Sequence, residues 1–324
     1  MPTVTMNTEQ WHFETPFEIT GYSWTGIGTL YVEIQDGEYV GRGEATGVYY
    51  TDESADSMLQ QAESIRADLE KGISREELLD LLPSGGARNA VDAALWDLEA
   101  KQSGKSVWDM AGIDPAETIT VATVGLDTPE GMAAAAKRLP STKIKIKVSG
   151  DDPVTRIAAI REARPDADLV IDANQGWTFE QLVEVAPRLQ ELGVVMIEQP
   201  LPRGDDAELA GYQCPIPLCA DESCLDMTEL DQAAGRYDMI NIKLDKVGGL
   251  TAGLNLAYKA KSMGLGLMVG NMAGTSLGMA PGFVLAQLCD LVDLDGPMLL
   301  TEDRDYPLHY DNGVVSGLTP ALWG

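Results

Sequence analysis

Residues 168–200 read DLVIDANQGWTFEQLVEVAPRLQELGVVMIEQP: two short apolar runs, each ending in a carboxylate, flank a segment of helical periodicity. Val170-Ile-Asp-Ala-Asn174 and Met196-Ile-Glu-Gln-Pro200 have strand texture, while residues 179–189 repeat apolar side chains at three- and four-residue steps. Strand, helix, strand is the crossover unit of a parallel sheet. Working outward, apolar or β-branched runs begin near residues 120, 143, 168, 195, 217, 239, 266 and 293, and segments such as 252–260 between them read as helices. Eight such runs predict an α/β fold, a (β/α)7β TIM-like barrel over residues 116–303, since the eighth run lacks a following helix.

Ahead of the barrel the texture differs. Residues 29–35 (TLYVEIQ) alternate and lead into a turn at Asp36-Gly37, which suggests an antiparallel meander. Ala87, Ala90, Val91, Ala94, Leu95 and Leu98 then mark one apolar helix face. These features predict an α+β capping domain over residues 1–115. The Pro/Gly-punctuated tail, residues 304–324, suits a return to that domain.

Composition narrows the partners. With 51 acidic against 23 basic residues the net charge is −28, a field that repels nucleic acid and anionic membranes. No apolar run approaches the roughly 18 residues of a membrane helix, and the first residues resemble no secretory signal, so a cytoplasmic location is expected. Cys214, Cys219, Cys224 and Cys289 form no CxxC pair, and only His12 and His309 accompany them, which argues for reduced thiols and against a zinc site.

Barrel enzymes carry their chemistry at the C-terminal ends of strands, and five successive strands here end in charged residues. In Lys143-Ile-Lys-Ile-Lys147 the period of two puts the three lysines opposite Ile144 and Ile146, on the inward face. The next three strands end in Asp172, Glu198 and Asp221, 26 and then 23 residues apart, one strand-helix repeat each. Any one of them could be a helix N-cap. Three carboxylates brought together repel one another unless a hard cation sits between them, and oxygen ligands of this kind suit Mg²⁺. The sixth strand, Met239-Ile-Asn-Ile-Lys243, places Lys243 across the barrel from Lys147; alternation favours it over Lys246 as the inward lysine. A nearby Mg²⁺ and other cations are expected to lower its pKa towards a useful value. Two lysines on opposite faces of one carbon can remove a proton from one side and return it from the other, which is racemisation or epimerisation.

Lys145-x-Lys147, Asp172-x-Asn174, Glu198-x-Pro200, Asp221-Glu-Ser223 and Asn241-x-Lys243-x-x-Lys-x-Gly-Gly249 together resemble the muconate-lactonising subgroup of the enolase superfamily. Gly41-Arg-Gly-Glu-Ala45 and residues 88–97 resemble its capping domain. The resemblance implies one Mg²⁺ per subunit binding the substrate carboxylate, Lys145 stabilising an enediolate beside it, Lys147 and Lys243 as the acid/base pair, and a homo-oligomer. Asn174 and Lys246 join the expected substrate contacts. Asp293-Leu-Asp295 resembles the motif with which dipeptide epimerases hold a substrate ammonium; a structural alternative is pairing with Arg88 or Lys246.

The implied substrate is therefore a dipeptide. N-acyl amino-acid racemase, muconate cycloisomerase and o-succinylbenzoate synthase are the alternatives within the superfamily, and a catalytically silent binding barrel is the alternative outside it. Two departures bear on specificity. Ala-Glu epimerases carry an arginine in the loop after the first strand, where this chain has Tyr22 and Trp24, aromatic surfaces that could meet an apolar or cationic side chain or pack within the loop. Gly274 stands where relatives often have glutamate, and a roomier pocket is expected there.

Overall fold

The computed structural model describes residues 1–19 and 22–324, and for residues 17–19 and 22 the backbone alone. Strands β1 (Thr3–Ile19), β2 (Tyr22–Asp36) and β3 (Tyr39–Thr46) form an antiparallel meander, with Gly37 turning β2 into β3 at φ +61°, a conformation that suits glycine. Helix Gly86–Ser103 lies across this sheet, and Gly41 and Gly43 of β3 let it approach so closely that a Cβ at either would collide with the carbonyl of Ala94 or Ala90.

That helix departs from the one-faced expectation because it is sandwiched between sheet and barrel. Its polar residues are buried on the side away from the meander and bond to the barrel. Arg88 donates to the carbonyls of Val247 (2.6 Å) and Gly248 (3.0 Å), Asn89 to Asp245 (3.0 Å), and Asp92 accepts from the Thr251 amide and hydroxyl.

After β4 (Thr118–Ile119) come the barrel strands: β5 (Ala122–Val124), β6 (Lys143–Lys147), β7 (Asp168–Asp172), β8 (Val194–Glu198), β9 (Leu218–Ala220), β10 (Met239–Lys243), β11 (Gly266–Gly270) and β12 (Leu291–Val292). They are parallel neighbours in sequence order, and the Val121 N–H to Val292 carbonyl bond (2.8 Å) joins the two ends of the sheet. The fold is a TIM-like barrel with a capping domain. Its fourth crossover holds only a 3-10 turn (Ala207–Leu209), because Pro202, Gly204, Pro215 and Pro217 interrupt the segment. After β12 a short 3-10 turn (Gly296–Leu299) replaces a helix.

The tail does two things. Strands β13 (His309–Asp311) and β14 (Val314–Ser316) pair with β4 beside the barrel, and the chain end then reaches the capping helix through Trp323 Nε1 to the Ala93 carbonyl and the Gly324 amide to Asp97. Among the described residues no helix is long and apolar enough to cross a membrane.

Period-two alternation builds the barrel interior in layers. Val170, Met196, Cys219 and Met268 make a buried apolar plug, and two residues further along β7 and β8, and just past β9, stand Asp172, Glu198 and Asp221. The plug excludes water beneath the carboxylates, so their charge is balanced by neighbouring groups and not by solvent. Cys219 and Cys224 are buried, Cys214 and Cys289 half-buried, and all four are free thiols.

Cap and barrel also meet at Asp245, just after β10, which accepts from the Thr46 amide (3.1 Å) and Asn89 (3.0 Å). Burial pushes its carboxyl up to about 7. A carboxyl raised in the folded state keeps a proton that the unfolded chain has lost, so it contributes stability at low pH that disappears as pH rises from about 4 through 7. Asp245→Asn should therefore gain roughly 1–3 kcal/mol relative to the parent chain between pH 5 and pH 8, read by urea unfolding at each pH. A difference that stays flat with pH would contradict the assignment.

Candidate active site

A cavity of about 400 Å³ lies between the C-terminal rim of the barrel and the cap, lined from below by Lys145, Lys147, Asn174, Lys243, Asp293 and Asp295. Asp172 and Glu198 are register partners on β7 and β8, and Asp221 follows β9, the next strand. All three are fully buried. Each is paired with lysine. Lys145 Nζ stands 3.0 Å from Asp172, 2.7 Å from Glu198 and 2.8 Å from Asp293; Lys147 donates to Asp172 (2.6 Å) and Asn174 (3.0 Å); Lys243 donates to Asp221 (2.7 Å).

Lys246 occupies a different place from the substrate-contacting one expected of it. Its ammonium donates to Asp221 Oδ1 (2.7 Å), the Asp221 carbonyl (2.6 Å), the Asn241 carbonyl (2.9 Å) and the Cys224 carbonyl (3.1 Å), which exhausts its three protons beneath the carboxylate. The reason is local: β10 ends at Lys243, the short helix Leu244–Val247 breaks the alternation, and Lys246 turns under the rim.

These contacts set the charges. Burial would push Asp172 and Asp221 up, but Lys145 and Lys147 hold the first, and Lys243 and Lys246 the second, well below the usual carboxylate range. Glu198 goes the other way, raised by burial and by the neighbouring Asp172. For Lys243, burial favours the neutral form, but Asp221 and Glu198 outweigh it and hold the ammonium above its ordinary value. The nearest charges to Lys243 are carboxylates, not cations.

Six carboxyls (Asp172, Glu198, Asp221, Glu222, Asp293, Asp295) gather around four ammonium groups, and burial raises Glu198, Glu222 (to about 8) and Asp295 (to about 7) above the usual carboxylate range. Among the described residues no three acidic, imidazole or thiol groups already converge as a closed metal cage, because lysines stand between the carboxylates. A divalent cation nevertheless fits the residues present. The donors are hard oxygens, and the buried Glu198 Oε2, though 2.7 Å from Lys145, makes no hydrogen bond. Asp172, Glu198 and Asp221 are the residues that could hold it.

The ligand-binding loops are backed by hydrogen bonds that sequence reading missed. Gln199 takes a left-handed backbone (φ +37°) and is fully buried, and its carboxamide accepts from the amides of Asp221 and Ser223 (both 3.0 Å) while donating to the Leu201 carbonyl, Ser223 and Tyr237. It buckles the end of β8 to the residues following β9. Asn241 donates to Glu198 Oε1 (2.7 Å).

Just past the eighth barrel strand Asp295 accepts from Thr123 (2.8 Å), and burial beside Asp293 raises it to about 7. Neither aspartate pairs with Arg88 or Lys246. Two adjoining carboxyls facing a cavity can accept hydrogen bonds from an ammonium group.

Comparison with known proteins follows this geometry. Residues 1–112 match the family described as mandelate racemase/muconate lactonizing enzyme, N-terminal domain, and residues 130–317 the one described as enolase C-terminal domain-like. The L-Ala-D/L-Glu epimerase of Escherichia coli is 42% identical over 97% of this chain and 99% of its own. The N-acetyl-D-glutamate racemase of a Pseudoalteromonas species is 41% identical over 91% and 95%. A solved enolase-family structure from Agrobacterium tumefaciens, described as having homology to dipeptide epimerases and bound to sodium and L-Ala-L-Glu, superposes with a TM-score of 0.97 at 40% identity over the full length of both chains.

The chain belongs to the dipeptide-epimerase family of the enolase superfamily. It is an isomerase of the amino-acid epimerase and racemase class.

In this family member the upper cavity wall comes from the cap. Trp24 of β2 lines it and meets Tyr49 edge to face (5.2 Å, 65°), and Tyr49 meets Tyr50 likewise (5.0 Å, 82°). The Tyr22 side chain lies outside the described residues. Tyr49 and Tyr50 open a 3-10 turn (Tyr49–Thr51) whose sequence carries no periodic signal, and only the aromatic pair itself could have drawn attention. Gly274 does not enlarge the pocket: a Cβ there would lie 3.2 Å from Met279 Cε and 3.4 Å from Glu44 Oε1, because Glu44, held by Thr275 and Arg304, fills that corner.

Removing the support beneath Asp221 tests the rim's dependence on its buried pairs. Lys246→Met strands one carboxylate oxygen and three carbonyls, and should cost about 3–5 kcal/mol in urea unfolding. Stability equal to the parent chain would show that Lys246 is dispensable.

Proposed function

We propose that the chain inverts the α-carbon of the C-terminal residue of a dipeptide by a two-base proton transfer. The observation that carries this is the placement of Lys147 and Lys243, from β6 and β10 on opposite sides of the barrel, on one cavity with Asp293 and Asp295 at its edge. The reacting carbon lies between the two ammonium groups, its carboxylate towards Asp172, Glu198 and Asp221, and the substrate ammonium on the aspartate pair. One lysine takes the α-proton as a neutral amine while the other, protonated, delivers one to the opposite face.

To act as a base, Lys243 must give up the proton that Asp221 holds on it, so Asp221 is engaged elsewhere during turnover. Lys145, fixed among Asp172, Glu198 and Asp293, directs positive charge at the forming enediolate without rearranging. Asp172, Glu198 and Asp221 would hold a Mg²⁺, which when bound would supply positive charge to offset that left by removal of a proton beside a carboxylate. Asn174 orients Lys147.

The Pseudoalteromonas relative supports a second reading, racemisation of an N-acyl amino acid, whose acylated nitrogen brings no ammonium to Asp293 and Asp295.

¹H NMR in D₂O follows both exchange and inversion. Lys147→Ala and Lys243→Ala should each cut net epimerisation about 10²–10⁴-fold, while α-proton exchange survives for one enantiomer in each variant. Asp295→Asn should weaken dipeptide turnover; if it leaves dipeptides untouched, or if N-acyl substrates turn over faster in the parent chain, the second reading replaces the first. Lysine variants as active as the parent would refute the two-base assignment.

A further inference from the structure

We propose that the residue undergoing inversion carries an uncharged apolar or aromatic side chain, and that a side-chain carboxylate is disfavoured at this site. The inference rests on the dipeptide reading above and names its substrate class.

The four substituents of the reacting carbon have fixed directions. The carboxylate points to the acidic rim, the amide nitrogen towards Asp293 and Asp295, and the hydrogen lies on the line between Lys147 and Lys243. The side chain is left to point at the cap. That part of the cavity is faced by Phe13, Trp24, Ile27, Tyr49 and Leu299, contributed by β1, β2, the turn after β3 and the 3-10 turn after β12. The wall is braced. Phe13 is buried and bridges to Leu300, the Thr301 amide bonds the His12 carbonyl (2.9 Å), and Trp24, Tyr49 and Tyr50 form a ladder of edge-to-face contacts.

Charge points the same way. The first 41 residues, which supply β1, β2 and the segment joining them, contain neither lysine nor arginine, so that segment offers no such cation in any conformation. The next cations of the cap are committed elsewhere: Arg42 donates to the Ala321 carbonyl (2.7 Å), and Arg66 to the Val4 carbonyl and Glu63. Among the described residues, the ionisable groups that the cap brings to the cavity lining, Glu53, Asp56 and the Tyr49 phenol, include no cation. The lysines of the barrel floor are held by carboxylates at 2.6–3.0 Å. A glutamate side chain turned towards this wall would lose water and meet neutral or acidic groups (Gln10, Ser54, Glu53, Asp56) but no cation, whereas an isobutyl or benzyl group would bury apolar surface against aromatic rings.

The test is α-deuteration of L-Ala-L-Phe, L-Ala-L-Leu, L-Ala-L-Gln and L-Ala-L-Glu by the full chain in D₂O with MgCl₂, with inversion followed by polarimetry. The expected result is a kcat/KM for the phenylalanine and leucine dipeptides at least roughly 10- to 100-fold above that for L-Ala-L-Glu, with the glutamine dipeptide also above its charged isostere. Trp24→Arg should raise kcat/KM for L-Ala-L-Glu tenfold or more and lower it for L-Ala-L-Phe. Trp24→Ala should erase the preference for phenylalanine without helping glutamate, and far-ultraviolet circular dichroism checks that both variants fold. Efficient turnover of L-Ala-L-Glu, equal to or above the apolar dipeptides, overturns this inference and leaves the epimerase reading standing. Absence of exchange with every dipeptide overturns both.

Discussion

Six carboxyls and four lysines packed at the end of a barrel plugged with apolar side chains are the constraint on which the remaining structure depends. Removing so many charges from water costs several kcal/mol per ion, and ammonium–carboxylate contacts at 2.6–3.0 Å recover it only if every group is held in place. The surrounding architecture serves that holding. The apolar plug fixes the strand ends from below, Gln199 ties the end of β8 to the residues after β9, Lys246 anchors Asp221, and Asn241 orients Glu198.

The same requirement explains why a small antiparallel domain is welded onto a barrel. A site that works on a carboxylate-bearing substrate needs a lid of different character from its floor. Helix Gly86–Ser103 joins the two by putting its alanines against the meander and Arg88, Asn89 and Asp92 against the barrel. Arg304, from the tail, ion-pairs with both Glu9 and Glu44 and so couples β1, β3 and the corner around Thr275. Cap, barrel and tail thereby set the height of one cavity, charged below and aromatic above.

Much of this was legible in the sequence because it follows from periodicity. Alternation in five consecutive strands, with carboxylates one barrel repeat apart, located Asp172, Glu198 and Asp221 together and put Lys145, Lys147 and Lys243 on the inner face. Legibility failed where alternation stops. Lys246 lies in a four-residue helix and turned under the rim; Gln199 takes a left-handed backbone that no pattern announces; Tyr49 and Tyr50 sit in a 3-10 turn. Gly274 misled because its neighbour in space, Glu44, is 230 residues away in sequence.

The central claim is that the buried oxygens of Asp172, Glu198 and Asp221 form a binding site for a divalent cation. It is tested most directly by the thermal unfolding midpoint as MgCl₂ is titrated against KCl at matched ionic strength, for the parent chain and for Glu198→Gln. A ligand that binds only the folded state stabilises it by RT ln(1 + [L]/Kd), so the parent midpoint should climb with the logarithm of Mg²⁺ concentration once Kd is passed, and the variant should respond much less. A parent midpoint indifferent to Mg²⁺, or two chains responding alike, would contradict the account.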